Sequence, residues 1–596
     1  MRLYNSISSK IGKNFFKNMV ILIAILAAYI FPSISYSAGL GWDVNVWGNP
    51  LPLYTSKVPN ESFCTRNGIP SQYFKILEKK KGGAEISIPG VLKPGKAYSF
   101  KVYLRNEYTS NVEIFFRRDT ALYETSAIRT ISVTSEWTLA ELKGIYTSPT
   151  KGSIRIAIKT AGAGLCLNSA SLTEISYNDI GSTTKQSPVD AQFFGVHINK
   201  LGVHYEWPSF NPGTVRLWDT GTTWSVLKPN SGPINWDENI NAKRLDLYIS
   251  HVRKYNPSTT LIYTLAMTPT WAGTSHPTNC NNLYYGPRGC TKPVNLDHWR
   301  LFVRELAVRY KGVIKVWEIW NEADIWYQWN GTNKDMFDMV RIAYEELKDA
   351  DPSNIVIGPN ITSLGMRFLN EFLARGGGKY VDGLSIHGYL GRAPEKALSV
   401  IRNMREMVKS YNLNLPIWNT ETGVPCNSVF EQCNVLTFKD EDYLNGDISL
   451  GIGLIGNAAL GVLNFSYYTW EGAAVDIGGL PLVQDDFKKP TSTSLVFSRV
   501  SSWLEGGEVQ YDARSTDELN IVSINKNGEK AYVLWSKGIW VDVPLSQFTE
   551  TLSNKWYLRQ SSPDDINTSS IKVGIEPILI YASQFPFSNK HLSPIQ

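Results

Sequence analysis

The sequence predicts a three-module protein: a central eight-stranded β/α barrel (a TIM barrel), an N-terminal β-sandwich and a small C-terminal β-sandwich. Strand-like runs alternate with amphipathic helices through the middle of the chain, which is the pattern of a closed parallel sheet. On either side, apolar and polar residues alternate as they do in half-buried strands. The length of 596 residues also suits several domains rather than one.

Residues 1–38 have the pattern of a secretory signal. Basic residues from Arg2 to Lys17 precede an apolar run at 19–31, and no acidic residue occurs in this segment. Thirteen apolar residues are short for a membrane span but suit the core of a signal peptide. We therefore expect export to the periplasm or the medium, or anchoring through 19–31 if the segment is not cleaved.

Charge and composition narrow the classes of partner. The net charge is +5, of which the signal segment supplies +4, so the remaining chain is close to neutral. A neutral body lacks the basic surface that nucleic acid requires. The 19 Trp and 30 Tyr suit stacking on sugar rings, but they equally suit the filling of large cores.

Six cysteines in an exported chain predict three disulfides. The expected pairs are Cys280–Cys290, Cys426–Cys433 and Cys64–Cys166. The spacing of cysteine and histidine offers no Cys-x-x-Cys or His-x-x-x-His pair, so we predict no metal site.

The first module, residues 39–183, shows strand alternation at 98–105 and again at 154–158. Its layout resembles jelly-roll carbohydrate-binding modules, including a late strand at 165–167 and a closing segment at 170–172. Sugar binding and a purely structural sandwich are both open for this module.

The second module, residues 184–505, contains eight predicted strands. They are Phe194–Ile198, Thr214–Trp218, Thr260–Met267, Ile314–Trp320, Ile355–Gly358, Gly383–His387, Pro416–Thr420 and Gly461–Tyr468. Amphipathic helices are predicted between several of them, at 296–310, 334–348 and 393–411. An open doubly wound sheet is disfavoured, because the first strand continues into Asn199-Lys200-Leu201 rather than into a glycine-rich turn.

The third module, residues 506–596, returns to strand alternation. Asn527-Gly528 lies between two β-rich runs and indicates a hairpin turn. Further strand candidates lie at 539–541, 556–558 and 578–581. Nothing in this module suggests catalysis.

The predicted fourth barrel strand leads into the segment that carries chemistry. Strand alternation places Val316, Glu318, Trp320 and Glu322 on one face, with Glu322 outermost at the catalytic mouth of the barrel. Glu318 is expected to point into the barrel and to pair with an arginine such as Arg216.

A second carboxyl group, Glu421, follows the predicted seventh strand in the segment 417–423. Two carboxyl groups at one barrel mouth are what glycoside hydrolysis requires. One is kept neutral and protonates the leaving oxygen, while the other is ionised and attacks the anomeric carbon.

The motifs Trp317-x-x-Trp320-Asn321-Glu322 and Thr420-Glu421-Thr422-Gly423 resemble those of clan A of the glycoside hydrolases. Within the clan the chain is most similar to family 39, notably its bacterial members associated with exopolysaccharides. The resemblance implies a retaining, double-displacement hydrolase with Glu322 as acid/base and Glu421 as nucleophile. It also implies that Asn321 hydrogen-bonds the sugar 2-hydroxyl, and that the carboxyl groups lie about 5–5.5 Å apart.

Further substrate-binding residues follow from the resemblance. Tyr389 would orient the nucleophile beside His387, Arg216 would hold it ionised, and Trp470 would form the floor under the reacting sugar. Candidates for the neighbouring subsites are Trp271, Trp320 and Trp326.

Each assignment has a structural alternative. The glutamate pair would otherwise be an ordinary ion-pair group at the barrel rim, and the tryptophans would be core. If Arg216 is committed to Glu318, its role at the nucleophile weakens. His197 and His204 are seven residues apart without a partner carboxylate, so they do not predict a metal site.

The stretch Gly451-Ile452-Gly453-Leu454-Ile455-Gly456 matches a dinucleotide-binding pattern but lies in the apolar run that leads into the eighth strand. There its glycines suit close helix packing, so we expect no nucleotide and no other cofactor.

The sequence therefore favours an endo-acting enzyme on an exopolysaccharide or cell-surface glycan. We expect an open groove walled by loops 219–235, 271–293 and 471–489. Two alternatives stand: an exo-acting glycosidase of the β-xylosidase or α-iduronidase type, and a non-catalytic barrel that binds or assembles glycans.

Overall fold

The computed structural model describes residues 34–588, except 38–41, 48–52, 56–62, 79–82, 159–161, 163, 182–186, 202–203, 275–280, 283–285, 288, 392, 425–439 and 473–479. The apolar signal run 19–31 lies outside the described residues, as do Cys280, Cys426 and Cys433. Within the described ranges, no helix combines the length and the apolar character needed to cross a membrane. The chain forms two compact units, 1–175 and 176–596.

The first unit contains two antiparallel sheets. One has the strand order Ile34–Ser37, Asp43–Trp47, Gly83–Leu92, Gly152–Ile158, Ser110–Arg118, Thr125–Val133. The other has the order Thr138–Ile145, Ala97–Asn106, Gly164–Ile175, Gln72–Glu78, Leu53–Thr55. A short hairpin joins Thr65–Arg66 to Ile69–Pro70.

The core of the first unit is built by the predicted alternation. Phe100, Val102 and Leu104 from one sheet and Ile154 and Ile156 from the other belong to one buried cluster. Both sheets therefore bury one face against a shared core. The jelly-roll topology and the glycan-binding role of this unit remain predictions.

The predicted disulfide between Cys64 and Cys166 is present. It lies in a small buried cluster with Tyr73, beside Phe63 and Trp137. Cys290 is also disulfide-bonded.

The second unit contains a parallel sheet whose strands follow one another around a barrel. In spatial order they are Ile355–Ile357, Val316–Ile319, Thr260–Leu265, Thr214–Leu217, Phe194–Val196, Asn464–Tyr467, Ile417–Thr422, Leu384–His387 and Ile361–Thr362. The predicted strands therefore exist, with ends that differ by a few residues.

The sheet closes through its fifth strand, which is interrupted. Ile355–Ile357 pairs with the fourth strand, and Ile361–Thr362 continues the same path and pairs with the sixth strand. A parallel bridge between Ile357 and Gly383 joins the two ends. The result is the predicted eight-stranded β/α barrel.

Helices follow most of the barrel strands. They are Trp224–Leu227, Ile240–Tyr255, Leu296–Arg309, Asn333–Ala350, Met366–Ala374, Pro394–Ser410, Asp440–Ala459 and Ser492–Leu504. The helix Asn333–Ala350 begins with a capping box, in which Thr332 and Asp335 satisfy each other's free backbone N–H groups. Inside the barrel, Ile262, Val316, Ile357 and Trp418 form an apolar cluster.

The glycine-rich stretch at 451–456 lies within the helix Asp440–Ala459, as the packing interpretation requires. A side chain at Gly453 would collide with Leu390, and one at Gly456 would collide with Leu398 of the helix Pro394–Ser410. Gly451 is equally close to Leu558. The glycines thus permit close packing against neighbouring leucines.

The C-terminal strands belong to the second unit. A six-stranded antiparallel sheet has the order Glu508–Tyr511, Leu519–Lys526, Glu529–Ser536, Ile578–Tyr581, Asn554–Tyr557, Asp564–Asp565. Val541–Pro544 pairs with Ser570–Val573 over a shared core. The turn at Asn527-Gly528 has positive φ at both residues, as the predicted hairpin requires.

The disulfide of the first unit encloses 102 residues of sequence separation. Removing a cross-link of that span frees the unfolded chain, so Cys64→Ala/Cys166→Ala is expected to destabilise this unit by about 2–5 kcal/mol. Urea unfolding of the full chain measures the effect. Limited proteolysis of the same samples, read as cleavage within residues 63–175, shows whether the first unit has unfolded. Wild-type protein with its disulfides reduced is the control, and equal stability of variant and oxidised wild type would contradict the expectation.

Candidate active site

Glu322 owes its position to an abrupt end of the fourth strand. The strand stops at Ile319, and Trp320 (φ +65°) and Glu322 (φ +48°) both adopt left-handed backbone conformations. The amide oxygen of Asn360, in the interruption of the fifth strand, accepts a hydrogen bond from the Glu322 backbone N–H at 2.8 Å. This bond helps to hold an unusual backbone conformation at the barrel mouth.

The left-handed turn also corrects one expectation. Strand alternation placed Trp320 on the same face as Glu318 and Glu322, but alternation ends where the backbone leaves the β region. Trp320 is wholly buried, packs against Trp299 and Trp329, and donates its indole N–H to the carbonyl of Gln328. The predicted common face is therefore wrong for this residue, which offers no accessible surface to a ligand.

Glu421 lies near the end of the seventh strand, next to the sixth. The register of these two strands shifts so that His387 lies opposite Glu421. Tyr389, two residues further on, donates its hydroxyl to Glu421 Oε1 at 2.7 Å. The structure thus brings the predicted His387 and Tyr389 together with Glu421.

Arg216, on the second strand, joins the two predicted motifs. Its Nε donates to Glu318 Oε2 at 2.8 Å and its Nη1 donates to Glu421 Oε2 at 2.8 Å. Its Nη2 donates to the Asn321 side-chain oxygen at 2.9 Å. The predicted pairing with Glu318 is confirmed, and it does not prevent contact with Glu421.

Glu318 is a completely buried carboxylate with every oxygen satisfied. Thr420 and Asn360 donate to Oε1 at 2.6 and 3.0 Å, while Thr264 and Arg216 donate to Oε2. The Arg216 charge and these bonds hold its pKa below the usual range despite burial. Glu318 therefore anchors Arg216 as a permanent counter-ion.

Glu322 and Glu421 face each other across His387. The Nδ1 atom of His387 lies 3.0 Å from Glu322 Oε1 and 3.6 Å from Glu421 Oε1. One carboxylate oxygen of each glutamate and the His387 nitrogen all lie within 4.8 Å of one another. Both side chains are largely buried, with 16% and 8% of their surfaces exposed.

The two glutamates differ in the donors that they receive. Glu421 receives a charged N–H from Arg216 and the hydroxyl of Tyr389, and both favour its ionised form. Burial still raises its pKa, an effect that Arg216 opposes at every pH and that His387 opposes only when its imidazole is protonated. Burial, together with the charges of Asp219 and Glu318 and against that of Arg216, raises the pKa of Glu322 to about 7.

His387 cannot supply a compensating charge at neutral pH. Burial, partly offset by Glu421, lowers its pKa to about 4. Glu322 therefore contacts a neutral imidazole, whereas Glu421 contacts the permanently charged guanidinium of Arg216. In this pair the proton belongs on Glu322 and the charge on Glu421.

The same three groups lie close enough to share a cation. The Arg216 guanidinium already lies against one Glu421 oxygen and the Tyr389 hydroxyl against the other. A metal ion would have to displace these donors and tolerate the adjacent positive charge, so the arrangement favours proton chemistry.

The remaining predicted aromatic residues have different surroundings. Trp470 is 97% buried beside His204 and follows the eighth strand. Trp271 is partly exposed and donates its indole N–H to the Lys228 carbonyl. Trp326 is about half exposed and packs edge-on against Tyr327. Trp326 thus presents accessible aromatic surface on the loop that carries Glu322.

A buried carboxylate secures the loop after the first strand. Glu471, directly after Trp470, accepts the backbone N–H groups of Asn199 and Lys200 at 3.1 and 2.7 Å. It also lies 3.2 Å from His204 Nε2. The loops after the first and eighth strands are therefore connected through Glu471.

Several residues of the site escaped the sequence analysis. Asn360 and Thr264 follow or end strands without any catalytic motif around them, and only the network reveals that they serve Glu318 and Glu322. Asp219, whose carboxylate accepts a hydrogen bond from the Tyr468 hydroxyl at 2.5 Å, lies two residues after the end of the second strand. A polar residue at the carboxyl end of each barrel strand is the signal that would have found them.

A closed eight-stranded β/α barrel with two facing glutamates at the carboxyl ends of its strands defines the class of architecture and site. No family model matches the chain, and no curated protein matches its sequence. The fold is similar to that of a family 39 glycoside hydrolase from the gut symbiont Bacteroides cellulosilyticus WH2. The two chains are 14% identical over 80% of this chain and 95% of that one, with a TM-score of 0.50.

Two other solved structures are also similar. A family 39 β-xylosidase from Caulobacter crescentus is 15% identical over 67% of this chain and 97% of its own, with a TM-score of 0.46. A family 30 endoxylanase from Clostridium papyrosolvens is 10% identical over the same shares, with a TM-score of 0.44. The resemblance to family 39 is confirmed at the level of the fold by the Bacteroides structure.

The raised pKa of Glu322 predicts a pH-dependent change in stability. Its ordinary value is 4.5 and its value in the fold is about 7, so folding favours the protonated form. Stability from this group is complete below pH 4.5 and is lost as the pH rises to about 7. Glu322→Gln removes this loss, so we expect it to stabilise the protein by up to about 3 kcal/mol above pH 7 and by much less near pH 4.5.

Urea unfolding between about pH 5 and pH 8 measures this difference. Glu518→Gln, at an exposed position of the second unit, is the matched control. A Glu322→Gln effect that is independent of pH would show that Glu322 is ionised throughout.

Proposed function

We propose that the protein is a retaining glycoside hydrolase in which Glu322 is the acid/base and Glu421 the nucleophile. The observation that carries this proposal is the facing pair of glutamates with unequal donors. A protonated carboxyl and an ionised carboxylate, with oxygens within 4.8 Å, suit protonation of a leaving oxygen and attack on the anomeric carbon. An inverting enzyme needs carboxyl groups about 6.5–9.5 Å apart to admit a water between them.

The first step follows from these positions. Glu421 attacks the anomeric carbon while Glu322 gives its proton to the departing oxygen, and a glycosyl ester on Glu421 results. Glu322, now ionised, takes a proton from water, which attacks the same carbon and releases Glu421. Arg216 and Tyr389 donate hydrogen bonds to the Glu421 oxygens and stabilise the carboxylate before it attacks and after it is released.

Asn321 is placed for substrate in this scheme. Its side-chain oxygen accepts the Arg216 N–H, so its amide nitrogen remains as a donor at the mouth of the barrel. We propose that this nitrogen donates to the sugar 2-hydroxyl beside Glu322, and that Trp470 lies under the reacting ring.

The substrate proposed is a polysaccharide of a bacterial exopolysaccharide or cell surface, cleaved internally by an exported enzyme. The aromatic-rich barrel mouth, the additional β-modules and the signal-like segment 1–38 support it. Loop 219–235 is described in full, whereas parts of loops 271–293 and 471–489 lie outside the described residues. The open groove between these loops is therefore part of the proposal.

Incubation of residues 39–596 and its Glu421→Gln variant with a polysaccharide panel, read by mass spectrometry, tests the activity. The panel includes the producing organism's own surface glycan. Oligosaccharides released only by the wild type support endo action, whereas release of monomers alone supports an exo-acting glycosidase. Binding without any product would support a non-catalytic barrel.

Variants of the two glutamates are expected to behave differently. Glu421→Gln should abolish turnover of every substrate, because no nucleophile remains. Glu322→Gln should lower kcat/KM for natural glycans by about 10²–10⁴-fold, yet retain it for dinitrophenyl glycosides, whose leaving groups need no proton. Equal losses of kcat/KM on both substrate types would count against Glu322 as the acid.

The pH profile gives a separate expectation. The acid must be protonated, so kcat/KM for a natural glycan should fall as the pH rises through about 7. Asp219→Asn removes a negative charge that raises the pKa of Glu322, so this limb should move to lower pH. With dinitrophenyl glycosides, kcat/KM of the Glu322→Gln variant should not fall as the pH rises through about 7. A fall that persists in this variant would be caused by another group.

A further inference from the structure

A second pocket lies at the catalytic end of the barrel. It has a volume of about 550 Å³ and is bounded by the loops after the first and second strands and by the helix Ile240–Tyr255. This volume lies in the range of sites that hold small ligands, about 300–1,000 Å³. Neither the glutamate pair nor the proposed mechanism uses it.

Three basic side chains line this pocket. Lys200 comes from the first loop, and Lys243 and Arg244 come from the helix. All three are exposed, and none forms an ion pair with a carboxylate in the part of the chain that the structure describes. Lys200 reaches only a backbone carbonyl, at 3.5 Å, and Arg244 reaches only the side-chain oxygen of Asn241 on its own helix.

Asp219 is the acidic residue of the pocket lining. Its Oδ2 accepts a hydrogen bond from the Tyr468 hydroxyl at 2.5 Å. The pocket therefore carries a net positive charge. Asp246, on the same helix, is paired with Arg309 and Tyr310 and does not line the pocket. The three positive charges of the pocket are thus only partly offset by the one acid in its walls.

The walls of the pocket are fixed rather than loose. Buried Tyr248 donates its hydroxyl to the Asn199 carbonyl at 2.8 Å and so holds the first loop to the helix. A side chain at Gly221 would begin only 2.5 Å from Arg244 Nη1, so this glycine leaves room for the guanidinium against the second loop. A planar guanidinium in this position suits paired hydrogen bonds to a carboxylate.

The pocket also adjoins the proposed reaction site. Asp219 in its wall follows Arg216 by three residues on the second strand and its loop. Asn199 and Lys200 in the opposite wall bond to Glu471, next to Trp470. A glycan that lies across the barrel mouth would therefore reach the pocket with a sugar near the cleaved bond.

We propose that this pocket binds the carboxylate of an acidic sugar residue, so that the glycan substrate is anionic. This inference rests on the proposed glycosidase function, which it makes more specific. Lys243 and Arg244 supply the charge-assisted bonds, Lys200 adds charge from the facing loop, and the reacting sugar itself need not be acidic.

Affinity electrophoresis tests the proposal in the Glu421→Gln background, which leaves the probes intact. The probes are alginate, polygalacturonate and glucuronoxylan, each with its carboxyl-reduced counterpart, and dextran sulfate. Lys243→Met/Arg244→Met removes two pocket charges, and Lys254→Met/Lys311→Met removes two exposed charges elsewhere, one of them on the same helix. Loss of the pocket charges should weaken binding to at least one acidic polymer about tenfold, with no effect of the control pair.

The carboxyl-reduced polymer should bind the parent and the pocket variant equally. Four outcomes would overturn the proposed carboxylate site. They are equal weakening by the control pair, equal binding of reduced and acidic polymers, retention by dextran sulfate alone, and no retention by any acidic polymer. Cleavage by the wild-type chain is measured separately. Cleavage without charge-dependent binding would reject only the pocket, whereas charge-dependent binding without cleavage would reject only the glycosidase.

Discussion

The candidate site depends on one buried guanidinium. Arg216 has no exposed surface, and its three nitrogens bond to Glu318, Glu421 and Asn321, which come from two other strands and their ends. A buried cation of this kind is stable only when a negative charge balances it and acceptors satisfy its N–H groups. Glu318 supplies the permanent match, so in the proposed mechanism Glu421 could form its glycosyl ester without leaving the cation unpaired.

This arrangement also explains why two adjacent glutamates differ. With Glu318 ionised, Arg216 is already neutralised, so a further negative charge on both Glu322 and Glu421 would be costly in a buried site. Glu421 has the direct contact with Arg216, and Glu322 has only a neutral histidine. The position of a single proton is thus set by which carboxylate the arginine reaches.

Much of the architecture could be predicted from the sequence because barrels repeat a simple pattern. The strands and helices follow from hydrophobic periodicity, and Glu318, Glu322 and Glu421 follow from their positions at or within strands. The expectation that Arg216 contacts Glu421 came from the resemblance to family 39. The failure at Trp320 has a local cause, since a left-handed backbone cannot be deduced from alternation.

Asn360, by contrast, is recruited across a strand that is interrupted at 358–360. Its amide oxygen bonds to Glu322 and its amide nitrogen to Glu318. Such a residue becomes visible only when strands distant in sequence are placed side by side. Hydrophobic periodicity therefore does not predict the hydrogen-bond networks that join several strands at the site.

The bonds made by Glu471 have a consequence for motion. The backbone amides of Asn199 and Lys200 donate into a carboxylate whose side chain is wholly enclosed. These two amide hydrogens can exchange with solvent only when the loops after the first and eighth strands separate. Opening at this side of the barrel mouth therefore requires both bonds to Glu471 to break, and it would separate Trp470 from the wall of the pocket that Asn199 and Lys200 form.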